Sequence, residues 1–176
     1  MSWRLKIAET GLLVVDIQEK LVAAVKEPEG WLEKAEILVK AAKLLEIPVA
    51  ITEQVPAKLG KTVPGILQAA GKVSPAAKSA FSAVEAGKAL GRKKVLVAGC
   101  ETHVCVRQTI YDLRQKEIQP VLVADAVGSR READRHLALR EMRHDGIVIA
   151  STEAVLFELM ETAEHPKFKE IQALIK

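Results

Sequence analysis

The amino-acid sequence predicts a three-layer α/β/α sandwich built on a mainly parallel, Rossmann-like sheet of about six strands. Three observations carry that prediction. Short apolar runs rich in β-branched residues recur along the chain, and their apolar positions do not alternate with polar ones. That pattern belongs to strands buried on both faces. Between the runs lie segments with apolar residues three and four apart, as on the inner stripe of a helix. Strands and helices taken in turn give βαβ units with right-handed crossovers.

Residues 12–15, 49–52, 95–98, 121–124 and 147–150 supply five of the runs, and 72–74 offers a short sixth. Trp31, Ala35, Leu38, Ala42 and Leu45 share one face of a helix between the first two runs. Ser82-Ala83-Val84-Glu85 reads as a capping box opening a short helix that stops near Gly91. Val106, Ile110 and Leu113 form the apolar stripe of the helix after residues 95–98. Ser129-Arg130-Arg131-Glu132 reads as a second capping box, with Gly146 past the far end of its helix. Phe168, Ile171, Leu174 and Ile175 line a closing helix. Residues 53–71, with Pro56, Gly60, Pro64 and Gly65, form the longest irregular stretch, and loops of that length are often functional or oligomer-forming.

Length and composition narrow the function. A chain of 176 residues is read as one domain, 1–176, able to bury about two-thirds of its unfolded surface. Apolar residues make up 49% and charged residues 28%, the balance of a soluble globular protein. Aromatic residues are only 3%, and the net charge of +3 is spread among interleaved acids and bases. Both features argue against a nucleic-acid or acidic-membrane partner. No run reaches the ~20 apolar residues that span a bilayer, and residues 1–6 lack the apolar core of a secretory signal, so a cytoplasmic protein is expected. There Cys100 and Cys105 would be reduced, and their spacing without a second pair is a poor zinc signature. No Gly-rich phosphate loop follows the first strand, so no nucleotide cofactor is expected.

Active sites of open parallel sheets lie beyond the carboxyl ends of the strands. Three chemically apt residues stand there: Asp16 after residues 12–15, Lys78 beyond the short run ending at Ser74, and Cys105 after residues 95–98. Cys105 falls in the first turn of a helix, where free N–H groups and the macrodipole favour a thiolate. Each residue also has an ordinary use: Asp16 as a loop cap, Lys78 as a solvated surface cation, Cys105 as a small core hydrophobe. His103 points about 200° away from Cys105 on a helix and reads as a solvent or interface residue. Asp125 reads as a structural cap. The weight is in the combination of three strand ends.

Val14-Val15-Asp16-Ile17-Gln18, Lys78-Ser79-Ala80-Phe81-Ser82 and Gly99-Cys100-Glu101-Thr102-His103-Val104-Cys105-Val106 together resemble the three signature blocks of the isochorismatase-like cysteine hydrolases. Thr52-Glu53-Gln54-Val55-Pro56 is similar to a loop of a subgroup mostly without known substrates. The resemblance implies an Asp-Lys-Cys triad of Asp16, Lys78 and Cys105, and a cis peptide between Cys100 and Glu101. It also implies an oxyanion hole from the N–H groups of Glu101 and Cys105. Gln18, Gln54, Phe81 and Thr102 are candidate pocket residues. The implied activity is hydrolysis of a small amide or related acyl compound through a thioester, without metal or organic cofactor, in a homo-oligomer of two or more chains.

Departures from the family pattern matter as well. Isochorismate-cleaving members lack a cysteine at the nucleophile position, so Cys105 argues against that reaction. The nicotinamidase branch holds a metal through an Asp-x-His pair where this chain has Thr52-Glu53-Gln54, which argues against a metal-dependent amidase. Two other classes remain open: a non-catalytic ligand-binding scaffold on the same fold, and a redox protein in which Cys105 is oxidised with Cys100 as its resolving partner.

Overall fold

The structure, a computed structural model, describes residues 4–25 and 28–176. Met1, Ser2 and Trp3, which bear on the expected lack of a leader, lie outside the described residues. A 3-10 turn at Ile7–Glu9 leads into β1 (Thr10–Val15), α1 (Glu19–Ala24), α2 (Trp31–Leu44) and β2 (Val49–Gln54). Then come α3 (Pro56–Leu59), α4 (Pro64–Ala70), β3 (Ala76–Lys78), α5 (Val84–Ala89) and β4 (Lys94–Cys100). A π-type turn at Thr102–Val106 opens α6 (Arg107–Gln115). Last are β5 (Gln119–Gly128), α7 (Glu132–His144), β6 (Val148–Ala150), α8 (Thr152–Met160) and α9 (Phe168–Ile175).

The six strands form one sheet in the order β3-β2-β1-β4-β5-β6, and every neighbouring pair is parallel. All residues of β1 and β4 are buried, because both strands sit in the centre with helices on each face. Alternate side chains enter opposite cores. Leu12, Val14, Leu96, Ala98, Val121 and Val123 pack against α2, α8 and α9. On the other face Leu13, Val15, Val95, Val97 and Leu122 pack against α6 and α7. Each fully buried Val or Leu contributes about 1.5–3 kcal/mol of hydrophobic stabilisation, so these runs hold the sheet regardless of individual polar contacts.

Strand order reverses between β1 and β4, the topological switch point where open sheets leave a crevice. The ends of β1 and β4 therefore face a common space. That is where Asp16 and the π-type turn lie.

Four local expectations are corrected. The sixth strand is Ala76–Lys78 rather than residues 72–74, since it pairs with the end of β2 in the register Thr52↔Ala76, Gln54↔Lys78. Lys78 is thus the last residue of a strand and not a residue beyond one. Residues 53–71 are not irregular: Pro56 and Pro64 open α3 and α4, where a missing N–H costs nothing, and Ile66 and Ala70 join the α2 core. Neither capping box forms. Ala83 and Arg131 are the N-caps of α5 and α7, and neither makes a side-chain cap bond. The Ser82 hydroxyl accepts from Val84 N–H instead, while Ser129 is drawn to His103.

β5 is longer than expected because it bulges. Its register with β4 advances from Val97↔Leu122 to Gly99↔Val127, so residues near 124–126 leave the ladder. The carbonyls of Ala124 and Val127, at and just past the bulge, are taken by the guanidinium of Arg135, 7% exposed on α7. Buried carbonyls without partners cost about 1–3 kcal/mol each. We therefore expect Arg135→Met, which keeps the volume and removes the donors, to lower unfolding free energy by about 2–4 kcal/mol in denaturant melts. A loss under about 1 kcal/mol would show that water takes over the bulge.

Candidate active site

Asp16 closes β1 with a left-handed backbone, φ 53°, a conformation short polar side chains tolerate. Its carboxylate has no solvent exposure. The Thr52 hydroxyl donates to Oδ1 at 2.7 Å, and the Lys78 ammonium donates to Oδ2 at 2.7 Å. Lys78 reaches it from β3, two strands away and so about 10 Å across the sheet. Beyond Asp16, the same ammonium meets Gln54 Oε1 at 2.6 Å, the Phe81 carbonyl at 2.9 Å and the Ala80 carbonyl at 3.1 Å. Three N–H donors facing four oxygens are fully used, and the cation is only 12% exposed.

Cys105 comes to the same carboxylate from β4. Gly99 at the end of that strand has φ 124°, and a Cβ there would lie 2.0 Å from the Val15 carbonyl oxygen, so only glycine lets β1 and β4 stay paired to their ends. The Cys100–Glu101 peptide that follows is cis. The chain then turns so that the Cys105 thiol comes under the opposing charges of Asp16 and Lys78, near the backbone of Glu101. Thr109 anchors the turn from behind, accepting from Ala83 N–H and donating to the Cys105 carbonyl at 2.6 Å.

Successive residues of this turn are buttoned to the loop after β5. Glu101 Oε2 accepts from the Arg130 N–H at 2.9 Å and from its guanidinium at 3.0 Å. Thr102 donates to the Gly128 carbonyl at 3.1 Å, and the His103 ring pairs with Ser129 at 3.1 Å. Sequence reasoning missed Arg130 and Thr52, both of which act through contacts between segments far apart in sequence. Asp125 caps as expected, accepting from the N–H and hydroxyl of Thr152 at the start of α8.

The electrostatics of Cys105 reverse one expectation. Burial and the Asp16 charge push its thiol up to about 12, against the opposing pull of Lys78 and the Glu101 N–H. The helix-start position alone suggested a thiolate. In this dry site, with a carboxylate charge nearby, the neutral thiol is favoured. Cys100 is completely buried and donates to the Asp16 carbonyl at 3.1 Å. Burial, then the nearby acids, push its thiol well up, the opposite of what a resolving redox thiol needs.

Three candidate pocket residues prove to be committed inward. Gln18 spends its amide on the chain: Nε2 donates to the carbonyls of Gln54 and Gly60, and Oε1 accepts from Gln54 N–H. Gln54 holds Lys78 and the Ser79 carbonyl, and Thr102 is buried against Gly128. Phe81 alone of the four is open, at 53% exposure. Among the described residues no group of three or more His, Cys, Asp or Glu side chains gathers as a metal site, and no helix is long and apolar enough to cross a membrane. A surface cavity of about 460 Å³ lies far from this cluster, against β6 and α8, lined by Leu5, Val121, Ile149 and Val155.

Comparison with known proteins gives a consistent picture. Residues 10–154 match the family described as the isochorismatase domain. The mouse isochorismatase domain-containing protein 2A is 39% identical over 94% of this chain and 82% of its own. A structure described as the MAR1 ribonuclease of Caenorhabditis elegans is 36% identical, with a TM-score of 0.93 over 98% of this chain and 92% of that one. The YcaC gene product of Escherichia coli, described as an octameric hydrolase of unknown specificity, shares the fold at 24% identity and a TM-score of 0.86, over 99% and 96% of the two chains.

The thiol environment sets a pH dependence. Alkylation consumes the thiolate, so the iodoacetamide rate at Cys105, read by peptide mapping, should still be rising above about pH 10, where an ordinary thiol of pKa about 8.5 has levelled off. Asp16→Asn removes the negative charge and should bring the midpoint down, whereas Lys78→Met removes the positive one and should move it up. A wild-type midpoint below about 8.5 would contradict this environment.

Proposed function

Because this chain belongs to the isochorismatase domain family of hydrolases, we propose that it hydrolyses a small amide or related acyl compound through a thioester on Cys105. The observation that carries this reading is the carboxylate of Asp16, fully buried and ion-paired to Lys78 at 2.7 Å, whose charge acts on the Cys105 thiol.

The steps follow from those contacts. Asp16 takes the proton from the Cys105 thiol as the sulfur bonds to the acyl carbon, so the thiolate need not exist beforehand. Lys78 stays protonated and holds the site's charge balanced while the proton moves. The carbonyl electron pair becomes an oxyanion, received by the backbone N–H groups of Glu101 and Cys105. Donors of this kind are worth about 10²–10³ in rate each. Asp16 then protonates the leaving amine, the C–N bond breaks, and a thioester remains. In the second half Asp16 takes a proton from water, the resulting hydroxide attacks the thioester carbon, and the C–S bond breaks. The carboxylic acid leaves and Cys105 recovers its proton.

The reading requires no metal. On the β2 end, where the metal-holding branch has its ligands, Thr52 is committed to Asp16, Glu53 to Thr62 and Gln54 to Lys78. Action in the cytoplasm and assembly with further copies of the chain belong to the same reading.

The ribonuclease description of the C. elegans relative raises a second reading, phosphodiester cleavage. In that case Asp16 would deprotonate a ribose 2′-hydroxyl, and Cys105 would be dispensable. The two readings separate on one variant. With a panel of small amides and activated esters, Cys105→Ala should reduce hydrolysis to background, Asp16→Asn should lose about 10²–10⁴ in kcat, and mass spectrometry of quenched wild type should find an acyl adduct on Cys105. Cleavage of labelled RNA that survives Cys105→Ala, with no adduct from any acyl compound, would replace the thioester mechanism with the second reading.

A further inference from the structure

For Lys78 to serve Asp16, a lysine on the three-residue edge strand β3 must be kept aimed at a carboxylate two strands away. Its side chain is long and flexible, and at a sheet edge water is the competing partner. We infer that Gln54 is a positioning residue: a neutral clamp that aims the Lys78 ammonium at Asp16 without sharing its charge. This inference rests on the proposed triad.

The geometry admits one orientation of the amide. Gln54 Oε1 accepts from Lys78 at 2.6 Å, the shortest contact the ammonium makes, and Nε2 donates to the Ser79 carbonyl at 2.7 Å. Lysine only donates and a carbonyl only accepts, so a flipped amide would lose both bonds. Gln54 is itself held at both ends of its backbone by Gln18, whose Nε2 also takes the Gly60 carbonyl at 2.7 Å. The series Gly60, Gln18, Gln54, Lys78, Asp16 is a continuous chain of hydrogen bonds from the α3 end to the buried carboxylate. Register supports it: Gln54 and Lys78 are direct partners across β2 and β3.

Chemistry explains why an amide and not an acid suits this position. A carboxylate there would face the Ser79 carbonyl acceptor to acceptor. It would also compete with Asp16 for the lysine's charge and add a second negative charge beside the Lys78–Asp16 pair. A neutral acceptor leaves Asp16 as the single charged partner among the Lys78 contacts.

The test is the rate at which methyl methanethiosulfonate modifies Cys105 between about pH 4 and 9, in wild type, Gln54→Glu, Gln54→Met and Lys78→Met, with thermal melts to verify folding. In Gln54→Glu, the introduced carboxyl, while protonated, can donate to Ser79 and accept from Lys78, reproducing the native amide. The ratio of Gln54→Glu to wild-type rates should therefore be near one at about pH 4 and fall at least about threefold by pH 7 as the carboxyl ionises. Gln54→Met should be slower throughout, approaching Lys78→Met. A purely packing role for Gln54 predicts a ratio independent of pH, and that result overturns the inference. So does a pair of Gln54 variants matching wild type while Lys78→Met remains slow, an outcome that leaves the triad standing. Should Lys78→Met itself leave Cys105 unchanged, the triad fails and the inference fails with it. If Gln54→Met does not fold, the pH dependence of Gln54→Glu decides alone.

Discussion

The ion pair between Lys78 and Asp16 is the constraint around which the rest of the site is arranged. A carboxylate without solvent exposure must be paired, because an isolated buried charge costs several kcal/mol even after relaxation. Removing one partner from such a pair leaves the other uncompensated, at a cost of about 3–5 kcal/mol in comparable cases. The pair therefore ties edge strand β3 to central strand β1 across β2. Thr52 on the intervening strand completes the shell by donating to the other carboxylate oxygen. Three parallel strands meet at one carboxylate.

Cys105 enters that arrangement from the other side of the switch point. Its position depends on Gly99, which lets β4 run against β1 to its end, and on a turn buttoned at Glu101, Thr102 and His103 to the loop after β5. Burial works in two directions here. It raises the thiol, so that the neutral form of Cys105 is favoured. It also strengthens the interaction between the Asp16 charge and Cys105, since electrostatic interactions grow as water is excluded.

Much of this was legible in the chain. Five strands, the apolar stripes of α2, α6 and α9, the parallel sheet and the placing of Asp16 and Cys105 at strand ends all follow from local periodicity. Family likeness over three short blocks extended the reading to Lys78. The failures share a cause. The strand at Ala76–Lys78 has no apolar run of its own and exists because β2 offers it a ladder. Helices α3 and α4 were hidden by prolines and glycines that mark loops and helix starts alike. Capping boxes that looked complete, at Ser82 and Ser129, do not form, since Ser82 accepts from Val84 N–H and Ser129 pairs with the His103 ring across the fold.

Composition and periodicity by themselves determined the layers, the buried parallel sheet and which residues stand at its carboxyl end, because hydrophobic burial is set by the order of apolar residues along the chain. Only the tertiary structure decided what those residues experience. Whether Cys105 rests as thiol or thiolate, whether Gln18 and Gln54 face a substrate or clamp the backbone, and which strand carries Lys78 all depend on groups tens of residues away. Hydrogen bonds and charge interactions act over a few ångströms in space, with no regard for separation in sequence. The fold brings Asp16, Gln54, Lys78 and Cys105 within that range, and their chemistry begins there.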